Sequence, residues 1–140
     1  MLYWVVRPWR QTFDFSGRAT RREYWMFIVQ LYLVLVLAIV GLGALAGTAG
    51  ARTDESGMAG LGLGVILLFL IAFIPYLSAS IRRLHDHDKS GWLYLLAMVP
   101  LVGWIFYLIM MLTPGTPGEN SYGPDPRDRL GAEDMAGVFS

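Results

Sequence analysis

Two arginines, two histidines and two aspartates fall within seven residues, Arg82-Arg83-Leu84-His85-Asp86-His87-Asp88. Imidazole and carboxylate together suit zinc or iron-type ions. Arginines beside a histidine suit a different chemistry, phosphate clamped by guanidinium while imidazole takes a proton. Spacing limits both. Helical side chains three or four apart share a face, and adjacent ones diverge, so only His85 and Asp88 converge. Two ligands do not close a metal site, and the chain holds two histidines and no cysteine. The expectation is no metal, no cofactor and no catalytic residue, with the string a solvated turn at an interface. Arg82 and Arg83 have ordinary duties at the end of an apolar run: they complement a helix C-terminus and snorkel toward water. Two sharper roles are a lipid phosphate or a pairing with Glu23. Arg82 and Asp86, four apart, could also pair.

The elements that must carry these residues are apolar. Of 140 residues, 55% are hydrophobic and 16% charged, against roughly 25% charged in a soluble domain. Residues 24–51, 56–81 and 90–118 contain no charge at all, and a bilayer core needs about 20 apolar residues per helix. A soluble enzyme, a disordered chain and a disulfide scaffold are excluded. No basic surface is left over for nucleic acid. The expected fold is all-α and polytopic, with three transmembrane helices over about 21–46, 58–81 and 91–112. They form a single integral-membrane domain, 1–126, followed by a flexible polar tail, 127–140.

Local signals refine this. Thr20-Arg21-Arg22-Glu23 reads as a capping box, followed by Tyr24 and Trp25 at the interfacial end of the first span. Before it, aromatics mix with arginines, the composition of a segment lying on the membrane surface, and Pro8 is expected to break any continuous helix there. Gly17-Arg18 reads as a turn with Arg18 facing head groups. Pro75 should kink the second span, its freed carbonyl met by a neighbouring helix or by Ser78 or Ser80. Gly43–Gly47 and Gly60–Gly64 are small-xxx-small pairs that let helices approach. Ser90 is a plausible N-cap, followed by Gly91 and Trp92. Asn120, Tyr122, Gly123 and Asp125 lie among turn formers, where Asn and Asp bond their own backbone or form a docking strip. Pro124 and Pro126 forbid regular structure.

Orientation follows from charge. Five basic residues precede Tyr24, three lie in 82–89, one in 47–57 and two in the tail. The positive-inside rule puts the amino terminus and the 82–89 loop in the cytoplasm. Three full spans then leave the tail outside. Should the chain turn back at Pro100–Gly103, the third segment is a re-entrant hairpin and the tail stays inside. Twenty-two residues suit one kinked span, so three spans is the expectation. The first apolar run starts late and is too long for a signal peptide.

Three ordered stretches carry a family likeness: Phe15-Ser16-Gly17-Arg18-Ala19-Thr20-Arg21-Arg22-Glu23-Tyr24-Trp25; Arg82-Arg83-Leu84-His85-Asp86 with Ser90-Gly91-Trp92; and Gly118-Glu119-Asn120-Ser121-Tyr122-Gly123-Pro124-Asp125-Pro126. Separated by apolar helices, they resemble the bacterial domain-of-unknown-function family 805, the YhaH/YhaI-like inner-membrane proteins. The resemblance spans about residues 10–126. It implies a small multi-pass inner-membrane protein and no particular reaction. The linker His87-Asp88-Lys89 departs from the family pattern.

The interfacial motif to examine is therefore Gly17, Arg18, Arg22, Glu23, Trp25, Arg82, Arg83, His85, Asp86, Ser90, Gly91, Trp92, Asn120, Gly123 and Asp125. No charge sits deep in a span, which speaks against an ion-coupled transporter. The expected role is a scaffold, assembly or envelope-related partner. Expected company is anionic lipid head groups at the cytoplasmic face, a second copy or another membrane protein. The alternatives are an oligomeric channel or small-solute transporter, and an interfacial enzyme acting on lipid head groups through His85 and the arginines.

Overall fold

The computed structural model describes residues 3–48 and 55–128. Its named elements are all helical: α1 (Tyr3–Arg10), α2 (Arg21–Thr48), α3 (Glu55–Asp86), a 3-10 arm (Gly91–Met98) and α4 (Val102–Leu112). Part of the 47–57 loop and all but two residues of the expected 127–140 tail lie outside the described residues.

Helix α2 begins where the capping box places it. The Thr20 hydroxyl accepts the Glu23 N–H at 3.2 Å. With 28 and 32 residues, α2 and α3 are about 42 and 48 Å long at ~1.5 Å per residue. Both are long and apolar enough to cross a membrane. They pack together, but their buried core sits at one end only. Tyr24, Phe27, Ile28 and Leu31 of α2 meet Ala79 and Leu84 of α3 and Tyr107 and Met111 of α4. Toward the other end Val40, Leu45, Leu63 and Ile71 are each more than half exposed, as lipid-facing side chains are. One glycine there has a packing reason: a Cβ on Gly64 would lie 2.8 Å from Leu42 Cδ2, whereas Gly43, Gly47 and Gly60 face open space.

Three local expectations are corrected. Pro8 does not prevent a helix; it lies inside α1. Pro8 is the sixth residue of this eight-residue helix, so it costs one intrahelical N–H bond, and its ring is buried. Trp9 holds α1 to α2, its ring 5.3 Å from Phe27 and edge-on, its Nε1 donating to Gln30 Oε1 at 3.1 Å. Ser78 and Ser80 do not serve the carbonyl freed by Pro75. Ser78 donates to the Gln11 and Asp14 carbonyls, and Ser80 to the Tyr76 carbonyl. Pro126 does not end regular structure: residues 126–128 form a helical turn, with proline at a first position that needs no N–H.

The larger difference is the third apolar segment. The helix expected over 91–112 is two arms folded against each other. Ser90 caps the first arm as expected, accepting the Trp92 N–H at 3.4 Å. The reversal is a γ-turn: Leu101 has φ 64° and ψ −68°, and the Val102 N–H donates to the Pro100 carbonyl at 2.8 Å. The arms then run antiparallel, Tyr94 edge-on to Tyr107 at 6.0 Å. Gly103 lies against the Leu96 carbonyl so closely that a Cβ would overlap it. Each arm is about 16 Å long, from eight residues at ~2.0 Å or eleven at ~1.5 Å, half the ~30 Å hydrocarbon core. Three hydroxyls hold α4 down: Tyr107 OH meets Tyr24 OH at 2.7 Å, Ser80 Oγ at 2.9 Å and Tyr76 OH at 3.0 Å.

Candidate functional site

At the end of the bundle where the core lies, the three sequence motifs come together as a buried ionic lock. Arg18, Glu23, Arg82, Arg83 and Asp86 are each at most 3% exposed. Asp86 sits at the centre of one half: Arg18 Nη2 approaches its Oδ1 at 3.0 Å and Arg83 Nη1 its Oδ2 at 2.5 Å. Glu23 centres the other, with Arg7 at 3.1 Å and Arg82 at 3.5 Å. Of the pairings weighed for Arg82 and Asp86, the structure has Arg82 on Glu23. Asp86 instead takes Arg83, three residues before it, and Arg18. Arg18 does not face head groups. Gly17, at φ 76°, turns the chain inward there.

Each half holds two cations to one carboxylate, so donors are left over; main-chain carbonyls and the Gln11 side chain take several of them, while Arg82 Nε and Arg83 Nε stay without a partner among the described residues. Arg18 donates to the Gly118 carbonyl at 2.5 Å and the Thr116 carbonyl at 2.6 Å. Arg83 donates to the Thr113 carbonyl, and Arg82 to Gln11 Oε1 at 2.5 Å. The residues after α4 are thus bound to the same end as the amino-terminal motif. Gly115 passes so close to Asp86 that a Cβ would overlap the carboxylate.

The His-Asp-His-Asp string is a helix ending. Lys89 N–H donates to the Leu84 carbonyl and Asp88 N–H to the His85 carbonyl, both near 3.0 Å, the paired bonds of a Schellman motif. Asp88 takes the left-handed position at φ 56°, which Asp tolerates better than most residues. Carbonyls at the end of α3 also take donors from elsewhere: Ala19 N–H on Arg82, Asn120 Nδ2 on His85, Thr116 N–H on Asp86. The end of α4 is served the same way. His87 Nε2 reaches the Met110 carbonyl at 2.7 Å, and Trp25 Nε1 donates to the Met111 carbonyl at 3.1 Å. Burial, helped by the nearby Arg83 charge, pushes the His87 pKa down.

The last motif closes on itself and on α3. The Asn120 side chain accepts the Tyr122 N–H, and Asp125 accepts the Arg127 N–H, both at 2.9 Å. Gly123 adopts φ 121° in a bridge to Asn120. Burial works against the Asp125 carboxylate, but hydrogen bonds from Arg127 and the Gly118 amide outweigh it and hold its pKa below the ordinary value. His85, Gly91 and Trp92 stand apart from the lock, lining a separate cleft with Tyr122. Arg22 is exposed beside Arg21 at the mouth of a cleft of about 270 Å³. Among the described residues no three His, Asp or Glu side chains gather as a metal site.

The profile of a family described as "Protein of unknown function (DUF805)" matches residues 12–124. The chain belongs to the DUF805 family. Like it in sequence are two Escherichia coli (strain K12) proteins of the family. Inner membrane protein YhaH is 36% identical over 124 residues, 89% of this chain and 96% of that one. Inner membrane protein YhaI is 41% identical over 128 residues, 90% and 97% respectively. No solved structure matches. This DUF805 chain is therefore an all-helical membrane protein of a family without an assigned reaction. Sequence reasoning missed Arg7, Gln11 and Thr116 in its lock. Gln11 and Thr116 carry no charge, and a lone arginine in an interfacial segment has no spacing that signals its partner.

Proposed function

We propose that this DUF805 chain is a non-catalytic scaffold of the inner membrane. In this reading α2 and α3 span the bilayer. The hairpin enters halfway and returns, so the amino-terminal segment and the tail to residue 128 share the cytoplasmic face. One observation carries it: Arg18 ties Asp86 of α3 to the Thr116 and Gly118 carbonyls beyond α4. Two arms of about 16 Å cannot cross ~30 Å of hydrocarbon, and irregular backbone at such depth is tolerated where protein covers it. Nine of the eleven Lys and Arg residues lie at this end, which supports a cytoplasmic placement. The scaffold role is supported by how the motif charges are spent. Arg82 and Arg83, the phosphate clamps of an enzymatic reading, turn inward to Glu23 and Asp86. The apolar flanks of α2 and α3 are left for lipid, a second copy or another membrane protein.

The test uses the absence of native cysteine. Ser121→Cys and Phe13→Cys, both at exposed positions, should react with an impermeant thiol reagent only from the cytoplasmic side, and Ser56→Cys only from the other. Labelling of Ser121→Cys from outside would restore three full spans and overturn the placement. For the role, protein extracted in mild detergent should carry lipid or a defined protein partner; a bare monomer would overturn it.

A further inference from the structure

The motifs meet a second time, away from the lock. A cleft of about 410 Å³ is lined by Phe15 of the first motif, His85, Gly91 and Trp92 of the second and Tyr122 of the third. Leu77, Ile81 and Leu95 extend it along α3 and the 3-10 arm. His85 is only 8% exposed. Its Nδ1 lies 3.2 Å from the Gly17 carbonyl. A carbonyl only accepts, so Nδ1 holds the proton of the neutral ring. The Tyr122 ring stacks on the imidazole at 3.8 Å, nearly parallel, and fixes its plane. Nε2 is then a lone pair without a hydrogen-bond donor among the described residues. Gly91 keeps the approach to it open. A Cβ there would stand 3.4 Å from Nε2 and 2.7 Å from Ile81 Cγ2.

An unpaired acceptor that faces an apolar cleft from a largely buried ring calls for a donor. Phosphate oxygens would meet Nε2 lone pair to lone pair, so an anionic group does not satisfy it. The aromatic walls of Phe15, Trp92 and Tyr94 favour a cation, which ring faces attract. Apart from Ser90, whose hydroxyl is engaged with the Trp92 N–H, and the Tyr122 ring, the rest of the lining is apolar, and the cleft is flanked by Trp92 and Leu95, which are 80% and 52% exposed on the arm placed in the bilayer.

We propose that this cleft binds a phospholipid by its head-group ammonium, of the ethanolamine type. An N–H of the ammonium donates to His85 Nε2, the charge lies against the aromatic rings, and an acyl chain follows Leu77, Ile81 and Leu95. The inference rests on the membrane placement proposed above. It adds a ligand class and names the residues that select it.

The experiment offers the full chain, in mixed detergent–lipid micelles, equal amounts of phosphatidylethanolamine, phosphatidylcholine and phosphatidylglycerol. Native mass spectrometry counts the lipid retained. Choline has the same charge but no N–H, so ethanolamine lipid should be enriched about ten-fold over choline lipid, the scale of one hydrogen bond to a charged group. His85→Phe keeps a ring to stack on Tyr122 and should bring that ratio near one. Gly91→Ala keeps His85 and narrows the approach, and should lower the ratio as well; it decides the matter should His85→Phe fail to fold. Equal retention of the two zwitterionic lipids, a preference for the glycerol lipid, or an unchanged ratio in a folded variant would overturn the proposal. Cysteine labelling separates the two failures. Intact topology with no lipid preference removes the cleft assignment alone.

Discussion

At the scale of single residues, the lock is an imbalance resolved by backbone. Asp86 neutralises one of the two arginines on it, and the second is compensated by carbonyl dipoles. Removing one member of a buried ion set leaves an uncompensated charge, which costs about 3–5 kcal/mol. Asp86→Asn should therefore lower the stability of detergent-solubilised protein by that order, seen as a fall in its thermal midpoint. Arg22→Gln, at an exposed position, should change it by under about 0.5 kcal/mol. Asp125 sets a pH dependence. Its native pKa is depressed below 3.8, so its contribution is complete above that value. The contribution is lost as pH falls through the native value. Protection of the Gly118 and Arg127 amides, measured against their intrinsic exchange at each pH, should fall on acidification below about pH 4, and Asp125→Asn should show the lower protection already at neutral pH. Arg18 and Asp86 stood out in the sequence as polar residues beside apolar runs. Their pairing did not, because 68 residues separate them and no local periodicity links them.

At the scale of elements, the hairpin is the part that hydrophobicity alone misreads. A charge-free window of 29 residues has enough length for one span, and length is all that a hydropathy argument weighs. Pro100 and Gly103 marked the break. What turns it into a reversal is the left-handed Leu101 and the contact of Gly103 with the Leu96 carbonyl. That contact is between backbones, so no side chain can move aside. Gly103→Ala should separate the arms. A disulfide engineered between them should form in the parent and fail in the variant, whereas Gly43→Ala, facing open space, should leave the hairpin intact. The capping box and the Ser90 cap were legible because a cap is decided within four residues. The Schellman ending was not, because an aspartate stands where a glycine is the usual sign.

At the scale of the whole molecule, residues 113–128 act as the fourth wall of the lock. Thr113, Thr116 and Gly118 supply carbonyls to two buried arginines, while Asn120 and the Thr116 N–H cap α3. A chain ending at Leu112 would leave those arginine donors and helix carbonyls unmet. Each unsatisfied buried group costs about 1–3 kcal/mol, so several together are comparable with the roughly 5–15 kcal/mol margin of an ordinary domain. The truncated chain should therefore accumulate to lower levels and aggregate on extraction, whereas truncation after Asp128 should leave monodisperse protein. Size-exclusion profiles of the two distinguish these outcomes.

The amino-acid sequence by itself determined the solvent, the class and the family. Charge-free windows demand lipid, the helix is what an isolated apolar segment forms there, and three ordered motifs carry the likeness. It also located the helix starts, since caps are local. Tertiary structure decided which charges pair, that the third apolar run folds back on itself, and that residues 113–128 pack at the same end of the bundle as the amino-terminal motif. Those outcomes depend on the direction of donors and acceptors brought together across 59 to 100 residues. Spacing along the chain holds no record of that direction. The arginines that read as snorkelling side chains therefore became the interior of the protein's polar end.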